Sequence, residues 1–332
     1  MRVAILTTSY PLQAGQAAGH FVAAEAEALC RQGHDVTVIA PGPQRVAVGG
    51  GPRLVRIESA GLFGPPGALH RLRANPWRAR GALLFVLAAR RLLRQEGPFD
   101  KLIAHWLIPC AWPIATEQAL QLEAVAHGSD VRLFCSLPRS LRLYIAQRLM
   151  QQDVLLRCVS EPLRESLIDA TTPALRTFTR VEPCPIELPS ALDRLGARAR
   201  LGVGACARLV VVVSRLIPEK RVASALAAVA ALPGIELVVI GGGPLRSALQ
   251  REFPQVRFTG ELPRPVALEW ISAADVLLSA SKLEGAPTVV REALALGTQV
   301  VAHPAGALAD WARLDTNLWL LPELRSVSLT SS

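Results

Sequence analysis

Short apolar runs alternate with longer amphipathic segments along almost the whole chain. Residues 3–7, 35–40 and 101–105 are typical of buried strands, and residues 21–30 are typical of a helix that Gly33 terminates. Half of the residues (51%) are hydrophobic and only 5% are aromatic, which suits helices packed against parallel sheets. The alternation therefore predicts an α/β fold with helices on both faces of its sheets.

One proline-rich segment divides this alternation into two blocks. Residues 183–189 contain Pro183, Pro185 and Pro189, and a helix cannot run through them. Further strand patterns follow at residues 209–213, 236–240, 256–259, 276–279 and 299–302. At 332 residues, the chain is also longer than one ordinary hydrophobic core. We therefore expect two doubly wound, Rossmann-like domains facing a cleft, over residues 1–184 and 190–332.

Charge and cysteine usage narrow the class of protein. The formal charge of +9 is carried mostly by arginine, which indicates either an anionic ligand or surface, or a coding preference for arginine. The six cysteines include no C-x-x-C pair, which argues for reduced thiols and against a zinc site or disulfide frame. No segment reaches the roughly 18–20 apolar residues of a membrane span, and no signal-peptide pattern is present. These features favour a cytoplasmic protein.

The strongest signal for chemistry is a pair of carboxylates, Glu284 and Glu292, eight residues apart. Residues 275–279 predict a buried strand, and residues 288–296 predict a helix with Pro287 at its first position. Glu284 then lies in the loop at the carboxyl end of the strand, the edge where open α/β sheets bind ligands. The alternative is a capped surface helix with two solvated acids.

Two cations lie at the end of another predicted strand. Arg215 follows the strand, and Lys220 precedes the helix predicted over residues 222–232. Cations beside helix N–H groups can hold a diphosphate; the alternative is one salt-bridged arginine and one solvated lysine. At a third strand end, Gly241-Gly242-Gly243-Pro244 lets the backbone approach a ligand closely or forms a tight turn.

Taken in order, these segments resemble the retaining GT-B nucleotide-sugar glycosyltransferases of family four. The resemblance rests on Arg215 and Lys220, Gly241-Gly242-Gly243-Pro244, Thr259-Gly260-Glu261-Leu262, Ala274-Asp275 and Glu284-Gly285-x-Pro287-x4-Glu292-Ala293. In the N-terminal half it rests on Gly19-His20-Phe21-Val22, Gly33-His34-Asp35-Val36, Ala104-His105-Trp106 and His127-Gly128-Ser129-Asp130. It covers about residues 1–310.

The resemblance implies a GT-B architecture and transfer of a sugar from a nucleotide-diphosphate sugar to a hydroxyl group of a glycan or lipid-linked acceptor, in bacterial surface polysaccharide synthesis. It implies no cofactor, and the absence of a D-x-D pair favours a metal-independent enzyme. The implied catalytic residues are His127 and Glu284. The implied donor-binding residues are Arg215, Lys220, Gly243, Leu262, Gly285, Ala286 and Glu292, and the acceptor-side residues are Gly19 and His105.

The sequence departs from the family pattern in three places. Ala286 stands where a larger apolar residue is common and Thr288 where Asn is common, which leaves the donor open. Only a short tail follows Asp310, whereas the family usually adds final helices. This shortened C-terminus keeps a second hypothesis open, a catalytically impaired, glycan- or lipid-binding relative. A dinucleotide oxidoreductase is disfavoured, because Thr7-Thr8-Ser9-Tyr10-Pro11 replaces the expected G-x-G-x-x-G.

A basic and apolar segment extends over residues 59–95. It has no acidic residue, and it interleaves Arg71, Arg73, Arg78, Arg80, Arg90, Arg91 and Arg94 with Leu62, Phe63, Trp77, Leu83, Leu84, Phe85 and Leu87. This composition resembles a surface that rests on anionic lipid, which suits a peripheral enzyme at the inner face of the cell membrane. The alternative is a core helix with a solvated basic end. Nucleic acid is not an expected partner, because no recognised binding module accompanies the charge.

Overall fold

The computed structural model describes residues 1–13, 15–43, 46–47, 51–64, 67–115, 121–189, 192–204, 206–230 and 232–321. The chain divides into two compact units, Met1–Pro185 and Ile186–Ser332, which we call unit 1 and unit 2. The boundary between them falls inside the proline-rich segment 183–189.

Unit 1 contains one sheet and the helices that cover it. Its strands are β1 (Arg2–Leu6), β2 (Asp35–Pro41), β3 (Val46–Ala47), β4 (Arg53–Ile57), β5 (Lys101–His105), β6 (Gln121–Ala126), β7 (Leu155–Cys158) and β8 (Thr179–Val181). Its helices are α1 (His20–Arg31), α2 (Ala68–Ala74), α3 (Arg80–Glu96), α4 (Ser129–Cys135), α5 (Arg139–Gln151) and α6 (Glu161–Asp169).

The strand order of unit 1 is β3-β4-β2-β1-β5-β6-β7-β8, and all neighbours are parallel except β3 and β4. Strands β2 and β4 are added on one side of β1, and β5 to β8 on the other. This reversal creates a topological switch point at the carboxyl ends of β1 and β5, where open α/β sheets bind ligands.

Unit 2 also contains one sheet covered by helices. Its strands are all parallel, in the order β11-β10-β9-β12-β13-β14. These strands are β9 (Arg208–Val213), β10 (Ile235–Ile240), β11 (Arg257–Gly260), β12 (Val276–Ser279), β13 (Gln299–Ala302) and β14 (Leu318–Leu320). The helices are α7 (Arg194–Leu201), α8 (Val222–Val229), α9 (Arg246–Glu252), α10 (Arg264–Ala273), α11 (Thr288–Ala295) and α12 (Leu308–Trp311). The switch point of this sheet lies between β9 and β12.

Both faces of the unit 2 sheet are buried. Leu209 and Val211 of β9 pack into one apolar cluster, and Val210 and Val212 pack into another. Because successive strand residues point to opposite faces, the continuous apolar run requires helices on both sides. Helices α10 and α11 supply residues to the first cluster, and α8 supplies residues to the second.

The fold class expected from the sequence is confirmed: two sheets, one mostly and one wholly parallel, have helices interleaved between their strands along the chain. The structure differs at Pro287, which precedes α11 as its N-cap rather than opening the helix, and at the helix predicted over residues 222–232, which ends earlier as α8. Of the short tail expected after Asp310, β14 is described and residues 322–332 lie outside the described residues. Among the residues that the structure describes, no helix has the length and apolar character of a membrane span.

Candidate functional site

The carboxyl ends of β9 and β12 meet at the switch point of unit 2, because the two strands are neighbours. Lys220 ends a short 3₁₀ turn, Pro218–Lys220, in the loop after β9, and Glu284 lies in the loop after β12. Lys220 Nζ donates a hydrogen bond to Glu284 Oε1 and forms an ion pair with it. Both side chains are largely buried, at 18% and 14% exposed. Two residues predicted to bind different parts of one donor thus lie together.

The loop that carries Glu284 is held in place by the loop after β13. The Ala307 N–H donates to the Gly285 carbonyl at 2.8 Å. Gly306, at φ +58°, passes so close that a Cβ atom there would lie 2.2 Å from the Gly285 oxygen. A side chain at position 306 would therefore displace Glu284. Sequence reasoning missed Gly306, for which the available signal was a glycine shortly after a predicted strand.

Arg215 lies in the same loop as Lys220, with its side chain exposed. The loop packs against the glycine turn after β10, where the Leu216 N–H donates to the Gly242 carbonyl at 2.8 Å. A Cβ atom at Gly243 would lie 2.5 Å from the Leu216 oxygen. The close approach of two backbone segments therefore requires glycine at position 243, and it fixes the loop that presents Arg215.

Glu292 is buried on α11, where Arg264 at the start of α10 binds it. Arg264 donates to Glu292 Oε1 from Nε at 2.9 Å and from Nη2 at 2.7 Å. The same Nη2 donates to the Glu187 carbonyl at 2.5 Å, in the segment near the boundary of the two units. Sequence reasoning missed Arg264, because its partner lies 28 residues away on another helix.

The remaining predicted donor residues are Gly285, Ala286 and Leu262. Gly285 is buried and Ala286 half-buried, directly beside Glu284 in the chain. Leu262 follows β11, which is two strands from β9 in the sheet, and packs partly buried against the core. The structure therefore brings Lys220, Glu284, Gly285 and Ala286 together and leaves Leu262 at the edge of the sheet.

In unit 1, His105 ends β5 and His127 follows the neighbouring strand β6. His105 Nδ1 and His127 Nε2 share a hydrogen bond of 3.1 Å. Burial, together with His127 and Arg157, lowers the pKa of His105 well below its usual value. Burial and Arg157 lower the pKa of His127 to about 3. Both imidazoles are therefore neutral near pH 7. His105 is 0% exposed, so its ring contacts His127 rather than the surface.

Asp130 organises the loop that presents His127. Its Oδ1 accepts hydrogen bonds from the N–H groups of His127 (3.1 Å) and Gly128 (2.8 Å), and its Oδ2 accepts one from Leu107 (2.7 Å). Burial raises the pKa of Asp130, and these backbone donors oppose the rise. The carboxylate thus joins the loops after β5 and β6. In the sequence, the signal for this role of Asp130 was its position three residues after His127, in the segment His127-Gly128-Ser129-Asp130.

Gly19 is the N-cap of α1, at φ +77°. A Cβ atom at this position would lie 2.6 Å from the Ser9 carbonyl oxygen, in the loop after β1. The structure therefore gives Gly19 a role in packing this loop against the helix, at the switch point of unit 1. Its predicted contact with a substrate phosphate stays a prediction.

His105, His127 and Cys184 form the group that could hold a metal ion within the described part of the chain. Each offers one ligand atom, and these atoms lie within 4.8 Å of one another. The two imidazole nitrogens, however, already bond to each other. The positive charge of Arg157 acts on both histidines and on Cys184, which disfavours a second cation here. The group fits a hydrogen-bonded pair better than a metal site.

The fold of the two units defines a class of protein. The sucrose-phosphate synthase of Thermosynechococcus elongatus shares this fold, with a TM-score of 0.74 and 20% sequence identity over 97% of this chain and 86% of that chain. The fold is therefore GT-B, the two-domain α/β architecture of glycosyltransferases.

Two family models match the chain, one in each unit. The model described as Glycosyltransferase Family 4 matches residues 18–178, and the model described as Glycosyl transferases group 1 matches residues 207–330. Together they span most of the chain, including His105, His127 and the Lys220–Glu284 pair. The chain belongs to the family 4, or group 1, glycosyltransferases that these models describe.

Two curated relatives match over nearly the whole chain. One is TuaC of Bacillus subtilis, named as a glycosyltransferase of teichuronic acid biosynthesis; it is 28% identical over 345 residues, 97% of this chain and 86% of its own length. The other is a GDP-mannose-dependent alpha-mannosyltransferase of Mycobacterium tuberculosis, 28% identical over 322 residues, 93% of this chain and 81% of its own length.

Proposed function

We propose that the chain is a metal-independent, retaining hexosyltransferase that moves a sugar from a nucleotide-diphosphate sugar to a hydroxyl group of a glycan or lipid-linked acceptor. The observation that carries this proposal is the contact between Lys220 and Glu284 at the switch point of unit 2. A cation suited to a diphosphate and a carboxylate suited to sugar hydroxyls lie within one hydrogen bond of each other. The name of TuaC, a glycosyltransferase of teichuronic acid biosynthesis, supports a bacterial surface glycan as the product, and the name of the mannosyltransferase supports a nucleotide-sugar donor.

Unit 2 binds the donor. Lys220 and Arg215 hold the diphosphate, and Glu284 accepts hydrogen bonds from the sugar hydroxyls beside the N–H groups of Gly285 and Ala286. Glu292 accepts hydrogen bonds from the ribose, the backbone near Leu262 contacts the base, and Gly243 keeps the phosphate loop in place. Unit 1 serves the acceptor side, where Gly19 lies near a phosphate and His127 contacts a sugar hydroxyl with His105 behind it.

Breaking the glycosidic bond moves negative charge onto the departing diphosphate. Lys220 and Arg215 stabilise that charge, and cations fixed before the reaction cost little reorganisation. The acceptor hydroxyl attacks the anomeric carbon from the side of the leaving group, and a phosphate oxygen accepts its proton. Positioning and electrostatics then supply most of the barrier reduction. Glu284 forms no bond to the sugar in this scheme, so the anomeric configuration is retained without a protein nucleophile.

A donor screen tests the proposal. The full-length protein is incubated with UDP-, GDP- and ADP-sugars and a panel of polyprenyl-linked and free glycan acceptors, and the anomeric configuration of the product is determined by NMR. We expect transfer from one nucleotide class with retention of configuration, in the presence of EDTA. An inverted product would contradict the mechanism. Nucleotide binding without any transfer would favour the impaired, glycan- or lipid-binding relative.

Helix α3 supports an anionic membrane surface as a further partner. Its buried stripe is Gly81, Phe85, Ala89 and Leu93. The stripe on the opposite side, spaced three or four residues apart, is exposed and consists of Arg80, Leu83, Leu84, Leu87, Arg91 and Arg94. Leu83 is 62% exposed, and Trp77 just before the helix is 79% exposed. Leucines between arginines suit the headgroup region of an anionic bilayer.

Attachment to a membrane surface is consistent with a lipid-linked acceptor. A lipid-linked acceptor lies at the inner face of the cell membrane, and an enzyme that rests there meets it in two dimensions. We therefore place the protein in the cytoplasm, peripherally attached through the exposed stripe of α3. Leu62 and Phe85, which the sequence grouped with this surface, are buried and belong to the core.

A further inference from the structure

His127 ends a chain of buried polar side chains. Its Nε2 lies 3.1 Å from His105 Nδ1. The other nitrogen of His105, Nε2, lies 3.5 Å from Glu25 Oε2, and neither atom has a hydrogen-bond partner among the described residues. Glu25 Oε1 accepts a hydrogen bond from Arg157 Nη2 at 2.5 Å. His105, Glu25 and Arg157 are all buried. The contact between His105 and Glu25 is therefore electrostatic, and it joins two hydrogen-bonded pairs, His127 with His105 and Glu25 with Arg157.

The charges around Glu25 make it a hydrogen-bond acceptor. Arg157 also contacts Glu123 through Nε at 2.9 Å, and Lys101 binds the second Glu123 oxygen at 2.7 Å. Two cations thus face two buried carboxylates. Burial raises the pKa of Glu25, and Arg157 opposes the rise. The ion pair with Arg157 is the contact of a carboxylate, which accepts hydrogen bonds and has no proton to donate.

The proton positions then follow one from another. Because the carboxylate oxygen Glu25 Oε2 faces His105 Nε2 at 3.5 Å, it attracts a proton on Nε2 and would repel a lone pair there. His105 therefore carries its proton on Nε2, and its Nδ1 has a lone pair. Because His105 Nδ1 accepts, His127 carries its proton on Nε2. A neutral imidazole has one proton, so Nδ1 of His127 has a lone pair as well.

The ring of His127 is fixed from its other sides. Its backbone N–H is bound by Asp130, and the rings of Trp106 and Phe21 lie 4.6 Å and 5.1 Å from its centroid. His127 is half-buried, whereas His105 is fully buried. Because His105 occupies Nε2, Nδ1 is the nitrogen left for a ligand.

We propose that Glu25 and His105 are positioning residues that hold His127 in the Nε2–H tautomer, so that its Nδ1 accepts a hydrogen bond from a hydroxyl group of the substrate sugar. The tautomer follows from unit 1 alone, whereas the ligand rests on the proposed function. An acceptor at this point selects a hydroxyl over a deoxy position, because a sugar without the hydroxyl leaves Nδ1 unpaired.

Glu25→Gln tests this arrangement, because glutamine keeps the size of the side chain and adds a donor. In this variant we expect Arg157 to donate its hydrogen bond to the amide oxygen of the introduced glutamine. The NH₂ group of the glutamine then faces His105 Nε2. His105 then carries its proton on Nδ1, and His127 changes to the Nδ1–H tautomer. Glu27→Gln, on the exposed face of the same helix, is the matched control.

The tautomers are read from imidazole nitrogen chemical shifts of the full-length protein, isotopically labelled at histidine, with His127 assigned by a His127→Gln variant. We expect an unprotonated Nδ1 in the wild type and in Glu27→Gln, and an unprotonated Nε2 in Glu25→Gln. For sugar transfer, kcat/KM of Glu25→Gln falls roughly 10–100-fold, as when the partner behind a functional histidine is lost. Affinity for the nucleoside diphosphate stays unchanged.

A protonated Nδ1 in the wild type overturns the proposal, and so does an unchanged His127 tautomer in Glu25→Gln. The wild-type spectrum decides the first point even if the variant does not fold. A wild type that shows the expected tautomer but transfers no sugar contradicts the proposed function and leaves the tautomer assignment standing.

Discussion

Lys220 and Glu284, 64 residues apart in the chain, form an ion pair across the loops that follow β9 and β12. The contact exists because these strands are parallel neighbours, so their carboxyl ends share one edge of the sheet. In the proposed function a donor replaces this contact, with Lys220 turning to the phosphates and Glu284 to the sugar hydroxyls. The ion pair itself compensates both charges.

Removal of Lys220 should weaken diphosphate binding. We expect Lys220→Ala to reduce the affinity for UDP, GDP or ADP, whichever the wild type binds, by about 1.5–3 kcal/mol, the scale of a hydrogen bond to a charged group. Titration calorimetry measures the change. Lys282→Ala, at an exposed lysine in the Glu284 loop, should bind like the wild type. Equal affinities of Lys220→Ala and the wild type would remove Lys220 from the phosphate site.

Glu292 should recognise the ribose rather than the phosphates or the base. We expect Glu292→Gln to lower the affinity for the nucleoside diphosphate by about 1.5–3 kcal/mol, because a charged acceptor of the ribose hydroxyls is lost. The 2′,3′-dideoxy nucleotide serves as the internal control, and its affinity should not change. If both nucleotides lose affinity equally, the substitution acts by disturbing Arg264 and the ribose role is wrong.

His127 should make stability depend on pH below neutrality. Its pKa is about 3 in the folded protein against 6.5 for an unperturbed histidine. Below pH 6.5 the unfolded chain therefore binds a proton that the folded protein does not, so the free energy of unfolding falls as the pH falls toward 3. The slope is up to about 1.4 kcal/mol per pH unit for one such histidine.

The substitution His127→Gln isolates this contribution. Calorimetric unfolding of both proteins between pH 7.5 and 4.5 should show the wild type losing stability relative to the variant as the pH falls, because carboxylates contribute equally to both. A stability difference that is constant over this range would show that His127 titrates normally in the folded protein.

The exposed stripe of α3 should bind anionic vesicles. We expect Leu83→Gln/Leu84→Gln/Leu87→Gln to reduce sedimentation with phosphatidylglycerol vesicles. We expect Arg80→Gln/Arg91→Gln/Arg94→Gln to lower the partition coefficient roughly fivefold per arginine. Leu195→Gln/Leu314→Gln is the matched control, because these leucines are exposed in unit 2. Identical pelleting of all four proteins would exclude α3 as a membrane contact.

Local patterns in the sequence were sufficient for the fold and for part of the site. The bounds of β5, β12 and β13 agree with prediction, because each is an apolar run bounded by polar residues. The meeting of Lys220 and Glu284 follows from placing both at strand ends of one parallel sheet. The contact of Arg264 with Glu292 and the position of Glu25 behind His105 could not be predicted. Both depend on which helix face packs against which strand, and no spacing encodes that.

The hydrogen bond from Arg264 to the Glu187 carbonyl couples the connecting segment to Glu292. The connecting segment and the acid assigned to the ribose share a single guanidinium nitrogen. If Glu292 binds the ribose as proposed, a substitution that shifts Glu187 would move Arg264 and, through it, Glu292. A change in this connecting segment would then alter nucleotide affinity at a distance, with every residue that touches the nucleotide left intact.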